Sequence, residues 1–164
     1  MKAPQFARIV LSLIFSTTFA CADPDLDQAI AALWKAYEAA VCKSSDADFV
    51  HYLDDKCIVT EDVFVPKSIG KRVANRETYI DEIRTNYPKA KRIKMLVTGE
   101  RTIFSSERLA GVTSARVIVS TAMPIEGQPG QELPITVETR VTMQFSFIEK
   151  ALRVFFLNET IPLE

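Results

Sequence analysis

The sequence contains one histidine, His51, and that count sets the first limit on its chemistry. No histidine-based triad and no multi-histidine metal site is expected, so neither a metal nor another cofactor is assigned. His51 falls on a short helical stretch, where it reads either as a surface or half-buried residue or as a pocket acid or base. Tyr37 and Asp62 are the other side chains able to move protons or polarise a carbonyl. Each also has a plain structural reading: a helix-face ring with its hydroxyl at the rim of the core, and, beside Glu61, a solvated bulge between strand pieces. The adjacent Asp54 and Asp55 diverge on a helix and fit a helix-end turn better than a carboxylate pair. Serine-hydrolase and phosphate-loop motifs are absent. Asn158-Glu159-Thr160 matches the N-glycosylation pattern, inside what reads as the last strand.

These residues must be positioned by a helical first half and a sheet-forming second half. Leu26, Ile30, Leu33, Tyr37 and Val41 recur at spacings of three and four, which predicts one buried helical face. Ser45 with Asp46 and Asp48 starts a second helix through Phe49, Val50 and Leu53. Cys57–Thr60 and Val63–Val65 read as strand pieces interrupted by Glu61-Asp62 and closed by Pro66 and Gly70. Asn75 caps a third helix carrying Tyr79, Ile80, Ile83 and Tyr87, with Pro88 as its stop. Beyond Pro88 the chain reads as antiparallel sheet, turning at Phe104–Arg108 and passing through a proline-rich loop at Met123–Pro134. From Ile135 to Phe147 the odd-numbered positions are mostly apolar, while Thr136, Glu138, Arg140, Thr142, Gln144 and Ser146 form a polar face. Leu152–Ile161 is apolar on both sides for much of its length.

The N-terminus carries Lys2 and Arg8 ahead of an apolar run ending at Phe19, followed by Ala20-Cys21-Ala22. This is the pattern of a signal peptide over residues 1–22, so the mature domain is expected to span 23–164 and to be secreted or periplasmic. The apolar run is about half of the roughly 20 residues a membrane-spanning helix requires, and no membrane span is expected. Removing it takes two of the 20 basic residues and no acidic one, leaving 18 against 21 and a formal charge of -3. Basic residues are scattered among acids, which argues against a nucleic-acid partner. The short run Lys89–Lys94 reads as a solvated strand entry. Cys42 and Cys57 remain in a compartment where disulfides persist. A straight helix between them would hold them about 13 Å apart, beyond the roughly 7 Å a disulfide allows, whereas a bent connection would let them pair; both readings stay open.

The order helix, helix, short strand, helix, then long curved antiparallel sheet resembles the nuclear transport factor 2-like superfamily, a cystatin-like α+β cone that includes ketosteroid isomerases and SnoaL-like polyketide cyclases. The resemblance covers most of the mature chain. Its most specific stretch is Tyr37–Val41, Phe49–Asp55 and Val59–Asp62, followed by Gly70 and Glu77–Ile80. It implies an α+β fold in which the curved sheet wraps a long N-terminal helix with two shorter helices, leaving a pocket at the open end. It implies pocket-lining positions at Trp34, Tyr37, Tyr52 and Met143. In the family's isomerases a tyrosine polarises a carbonyl, a first-strand aspartate moves a proton and a neutral carboxylic acid on a later strand helps to hold the oxyanion. Tyr37 and Asp62 match the first two, with His51 as an assistant, but the third position falls near Met143. Loss of one such donor typically lowers the rate about 100-fold or more.

The leading expectation is therefore an exported, non-catalytic domain that binds a small apolar molecule or a protein partner. Two alternatives stand beside it. One is an isomerase, dehydratase or cyclase acting on a small carbonyl or polycyclic compound; the other is an oligomerisation module pairing as a homodimer through the Glu138, Arg140 and Gln144 face.

Overall fold

The computed structural model describes residues 24–43, 47–65, 68–86, 91–125 and 130–161. The leader, the Ser45–Asp46 helix start, Pro66, Tyr87, Pro88 and the first residues of the basic run lie outside them. Helix α1 (Pro24–Lys43) opens with Asp25 and Asp27 at its positive end. Its predicted stripe, joined by Trp34 and Ala40, is buried. Helix α2 (Ala47–Tyr52) follows and buries Phe49. Helix α3 (Arg76–Asn86) starts where Asn75 Oδ1 accepts the Thr78 amide at 2.9 Å, a side-chain N-cap, and it buries Tyr79, Ile80 and Ile83.

Among the described residues six strands form one sheet: β1 (Leu53–Val65), β2 (Ser68–Asn75), β3 (Lys91–Phe104), β4 (Ala110–Pro124), β5 (Glu132–Ile148) and β6 (Ala151–Ile161). Their order is β2-β1-β6-β5-β4-β3, with only β1 and β6 parallel. The inner face of β5 carries Thr139, Val141, Met143, Phe145 and Phe147, all buried, in the predicted alternation. Against them lie Trp34, Tyr37 and Phe49, their rings meeting edge-on at 6.0 and 5.4 Å.

Four readings are corrected. Glu61-Asp62 does not interrupt β1, because Glu61 pairs with Arg72 on one side and Glu159 on the other, and two neighbouring strands outweigh weak local propensity. Gly70 does not close a strand region; it lies within β2, an antiparallel partner with too little alternation to signal itself. Asp54 and Asp55 begin β1 rather than ending a helix, with Asp54 Oδ1 accepting the Lys56 amide at 2.9 Å beside a register shift. The loop after β4 is shorter than its prolines imply, since pairing runs to Pro124 opposite Glu132. In that stretch β5 has β4 on one side and, among the described residues, no paired strand on the other before Arg140, an edge that tolerates Pro134.

Candidate functional site: a buried glutamate in the cone

Strand alternation sends Val59 and Glu61 of β1, Arg72 and Ala74 of β2, and Glu159 of β6 to the face covered by α3. With Tyr79, Glu82 and Ile83 of α3 they enclose a cavity of about 230 Å³. That lies between the roughly 150 Å³ that admits benzene and the roughly 300 Å³ at which drug-sized pockets begin. Arg72 stands at the mouth, half-exposed. It pairs with Glu61 at 3.2 Å and with Glu82, tying β2 to β1 and α3. The Glu82 hydrogen bond, with the other charge of Glu61, raises the guanidinium's already high pKa, so the clamp is permanently cationic.

Glu159 forms the deep end. Its Oε1 accepts hydrogen bonds from Tyr79 Oη at 2.6 Å and Tyr37 Oη at 3.0 Å. Its Oε2 accepts none from the described residues and, in the cavity wall, is the oxygen left to a bound molecule. By accessible surface the residue is half-buried, and it lies in the cavity wall. Burial pushes its carboxyl above the usual carboxylate range, against the pull of Tyr79 and then Tyr37; the charge of Glu61 adds to the rise and that of Arg72 opposes it. The arrangement is a carboxyl group biased toward its neutral form, aimed by two phenols and open on one oxygen. Such a group can donate a proton when neutral and take one when ionised.

The sequence-derived candidates do not gather here as one set. Tyr37 reaches Glu159, but Asp62 faces the opposite side of the sheet, where its Oδ2 accepts from Asn158 Nδ2 at 3.0 Å. The inward position on β1 belongs to Glu61, one residue earlier. Tyr37 and Asp62 therefore share no cavity. His51 is exposed on α2, in a shallow depression with Tyr52 between the first two helices. Trp34 and Met143 are core side chains: Trp34 Nε1 donates to the buried Thr113 Oγ1 at 3.1 Å, and Met143 is fully buried opposite Leu157. That part of the cone is filled, and the hollow lies under α3. Cys42 and Cys57 are not joined by a disulfide. The Asn158 amide donates to Thr60 Oγ1 at 2.8 Å as well as to Asp62, bonds that attachment of a glycan to its nitrogen would disrupt. Among the described residues no cluster of potential metal ligands is present, and no helix is long and apolar enough to cross a membrane.

The residues missed in sequence are Glu159, Tyr79, Arg72, Glu61 and Glu82. One signal was available for Glu159, a lone carboxylate at an inward position of an otherwise apolar strand.

No protein-family model and no curated protein matches the sequence. Solved structures do match. A hexachlorocyclohexane dehydrochlorinase of LinA type 3 from Novosphingobium barchaimii LL02 superposes with a TM-score of 0.65 at 16% identity, over 84% of this chain and 87% of that one. An ntf2-like protein of unknown function from Shewanella baltica OS155 gives 0.57 at 12% identity, over 88% and 99%. The fold is the nuclear transport factor 2-like fold. A conserved protein from Planctomyces limnophilus DSM 3776 adds a TM-score of 0.64 at 11% identity, over 83% and 95%. These neighbours thus include an enzyme and an ntf2-like protein of unknown function, and at such identities the likeness is one of fold.

Proposed function

We propose that the cavity beneath α3 takes one small organic molecule and that Glu159 exchanges a proton with it, in an isomerase or lyase type of reaction. The observation that carries this reading is the Glu159 carboxyl itself, held by two tyrosines on Oε1 and open to the cavity on Oε2. Glu61 and Glu82 outnumber Arg72 at the mouth, so the molecule is neutral or cationic rather than anionic. The volume fits a compound of about one ring. A dehydrochlorinase acting on hexachlorocyclohexane shares the fold, and elimination from a ring is a reaction that one positioned base can begin. Export through the residue 1–22 leader is part of the same proposal.

Binding without turnover is the second reading. It is favoured by the two tyrosine hydroxyls, both donated to Glu159 and so not directed at a ligand carbonyl. Incubating the protein in deuterated water with a panel of monocyclic ketones and halogenated cyclohexanes, with exchange and elimination followed by NMR, separates the two. Turnover is expected, with Glu159→Gln lowering it about 100-fold or more. Saturable binding with no exchange in either protein would establish the second reading instead.

A further inference from the structure

On the opposite face of the sheet, Arg101, Arg116 and Arg140 line one depression. Arg116 of β4 lies directly across from Arg140 of β5, and Arg101 of β3 faces Ser114, two residues along β4 from Arg116. Like charges placed opposite one another destabilise a strand pair. Only Arg116 has a carboxylate partner there, Glu138 at 2.5 Å; Arg101 and Arg140 make no ion pair among the described residues. A register shift between Thr98 and Arg101 adds one residue to β3 at this point, with Gly99 at φ 64°, and returns Arg101 to the outward face. The three guanidinium groups, with Thr98 and Ser114, line a depression of about 430 Å³.

We propose that this depression is a binding site for a phosphoryl or sulfate oxyanion, separate from the cavity under α3. Planar guanidinium forks on rigid strands suit the oxygens of a tetrahedral anion, the Ser114 and Thr98 hydroxyls add donors, and a bound anion relieves the repulsion between Arg116 and Arg140. Glu138 competes for Arg116 and weakens the site. Removing that carboxylate strengthens it.

The test is calorimetric titration of the purified protein with inorganic phosphate, sodium chloride holding ionic strength constant, alongside sedimentation with phosphatidylglycerol or phosphatidylcholine vesicles. Saturable phosphate binding is expected, weakened about tenfold or more in Arg140→Gln and in Arg101→Gln and tightened in Glu138→Gln. Arg140→Gln relieves the like-charge pairing with Arg116, Arg101→Gln alters an exposed side chain, and circular dichroism checks that both variants keep their fold. Binding to phosphatidylglycerol vesicles alone, lost in Arg140→Gln, supports the site and places its phosphoryl group on a lipid. A phosphate response no larger than that to chloride, with no selective vesicle binding, overturns the proposal, as does binding that both arginine variants leave unchanged. A dimer by light scattering that ignores phosphate also overturns it, since a second copy then occupies the face.

Discussion

Glu159 holds its proton more tightly in the folded chain than in the unfolded one, and the sign of the consequence follows from that direction. The folded state binds more protons between the ordinary carboxylate pKa and the raised one, so the contribution is fully present below the lower value and is lost as pH rises through the upper one. Glu159→Gln keeps a carbonyl for both tyrosines and cannot ionise. Denaturation midpoints measured across pH are therefore expected to fall more steeply in the parent than in the variant over that window; parallel curves would contradict the raised pKa. Cys57 offers a second test. Burial, then the charge of Asp54, pushes its thiol up to about 11 against the opposing pull of Arg76, which leaves almost no thiolate at neutral pH. Mass spectrometry after iodoacetamide treatment at neutral pH is expected to find Cys57 unmodified in the native protein and modified in urea.

Among the elements, the β3–β4 hairpin permits no side chain at one point. A Cβ on Gly111 would stand 2.7 Å from the Ile103 carbonyl oxygen and 2.7 Å from Phe145 Cζ, one a backbone atom and the other the edge of a fully buried ring. Neither can withdraw without disturbing the hairpin or the core. Gly111→Ala is expected to destabilise the protein by about 1–3 kcal/mol, the usual range for overpacking. A urea midpoint equal to the parent's would show that the strands part more easily than this. The Arg72 clamp is weaker in energy than in effect. Its groups are partly exposed and solvent screens them, and what they do is link β2 to β1 and α3 beside the cavity.

At the scale of the whole molecule, a cone with an incompletely filled interior trades stability for a binding volume. Ala74 is buried in the cavity wall, and a larger apolar side chain there would extend into the cavity. Ala74→Leu is expected to leave stability unchanged or raise it by up to about 1 kcal/mol through added apolar contact, while abolishing ligand uptake. Thermal unfolding together with the exchange assay reads both effects. Loss of stability without loss of uptake would place the ligand elsewhere.

What the sequence determined by itself is the alternation of its elements. The three-and-four spacing in α1, the Asn75 cap of α3 and the dry alternation of β5 are local regularities, and each is built from residues within a few positions of one another. The resemblance carried by Tyr37–Asp62 reached the fold by the same route. The site was not legible, because its parts come from α1, α3, β1, β2 and β6 and meet only across the folded sheet. Whether Glu61 or Asp62 faces inward depends on a register set by β2 and β6, and a shift of one residue reverses it. Tyr37 and Glu159 stand 122 residues apart, and no spacing rule in the chain connects them. Tertiary structure decided which carboxylate became buried, and burial under two tyrosines turned an ordinary surface-type side chain into a proton-transfer candidate.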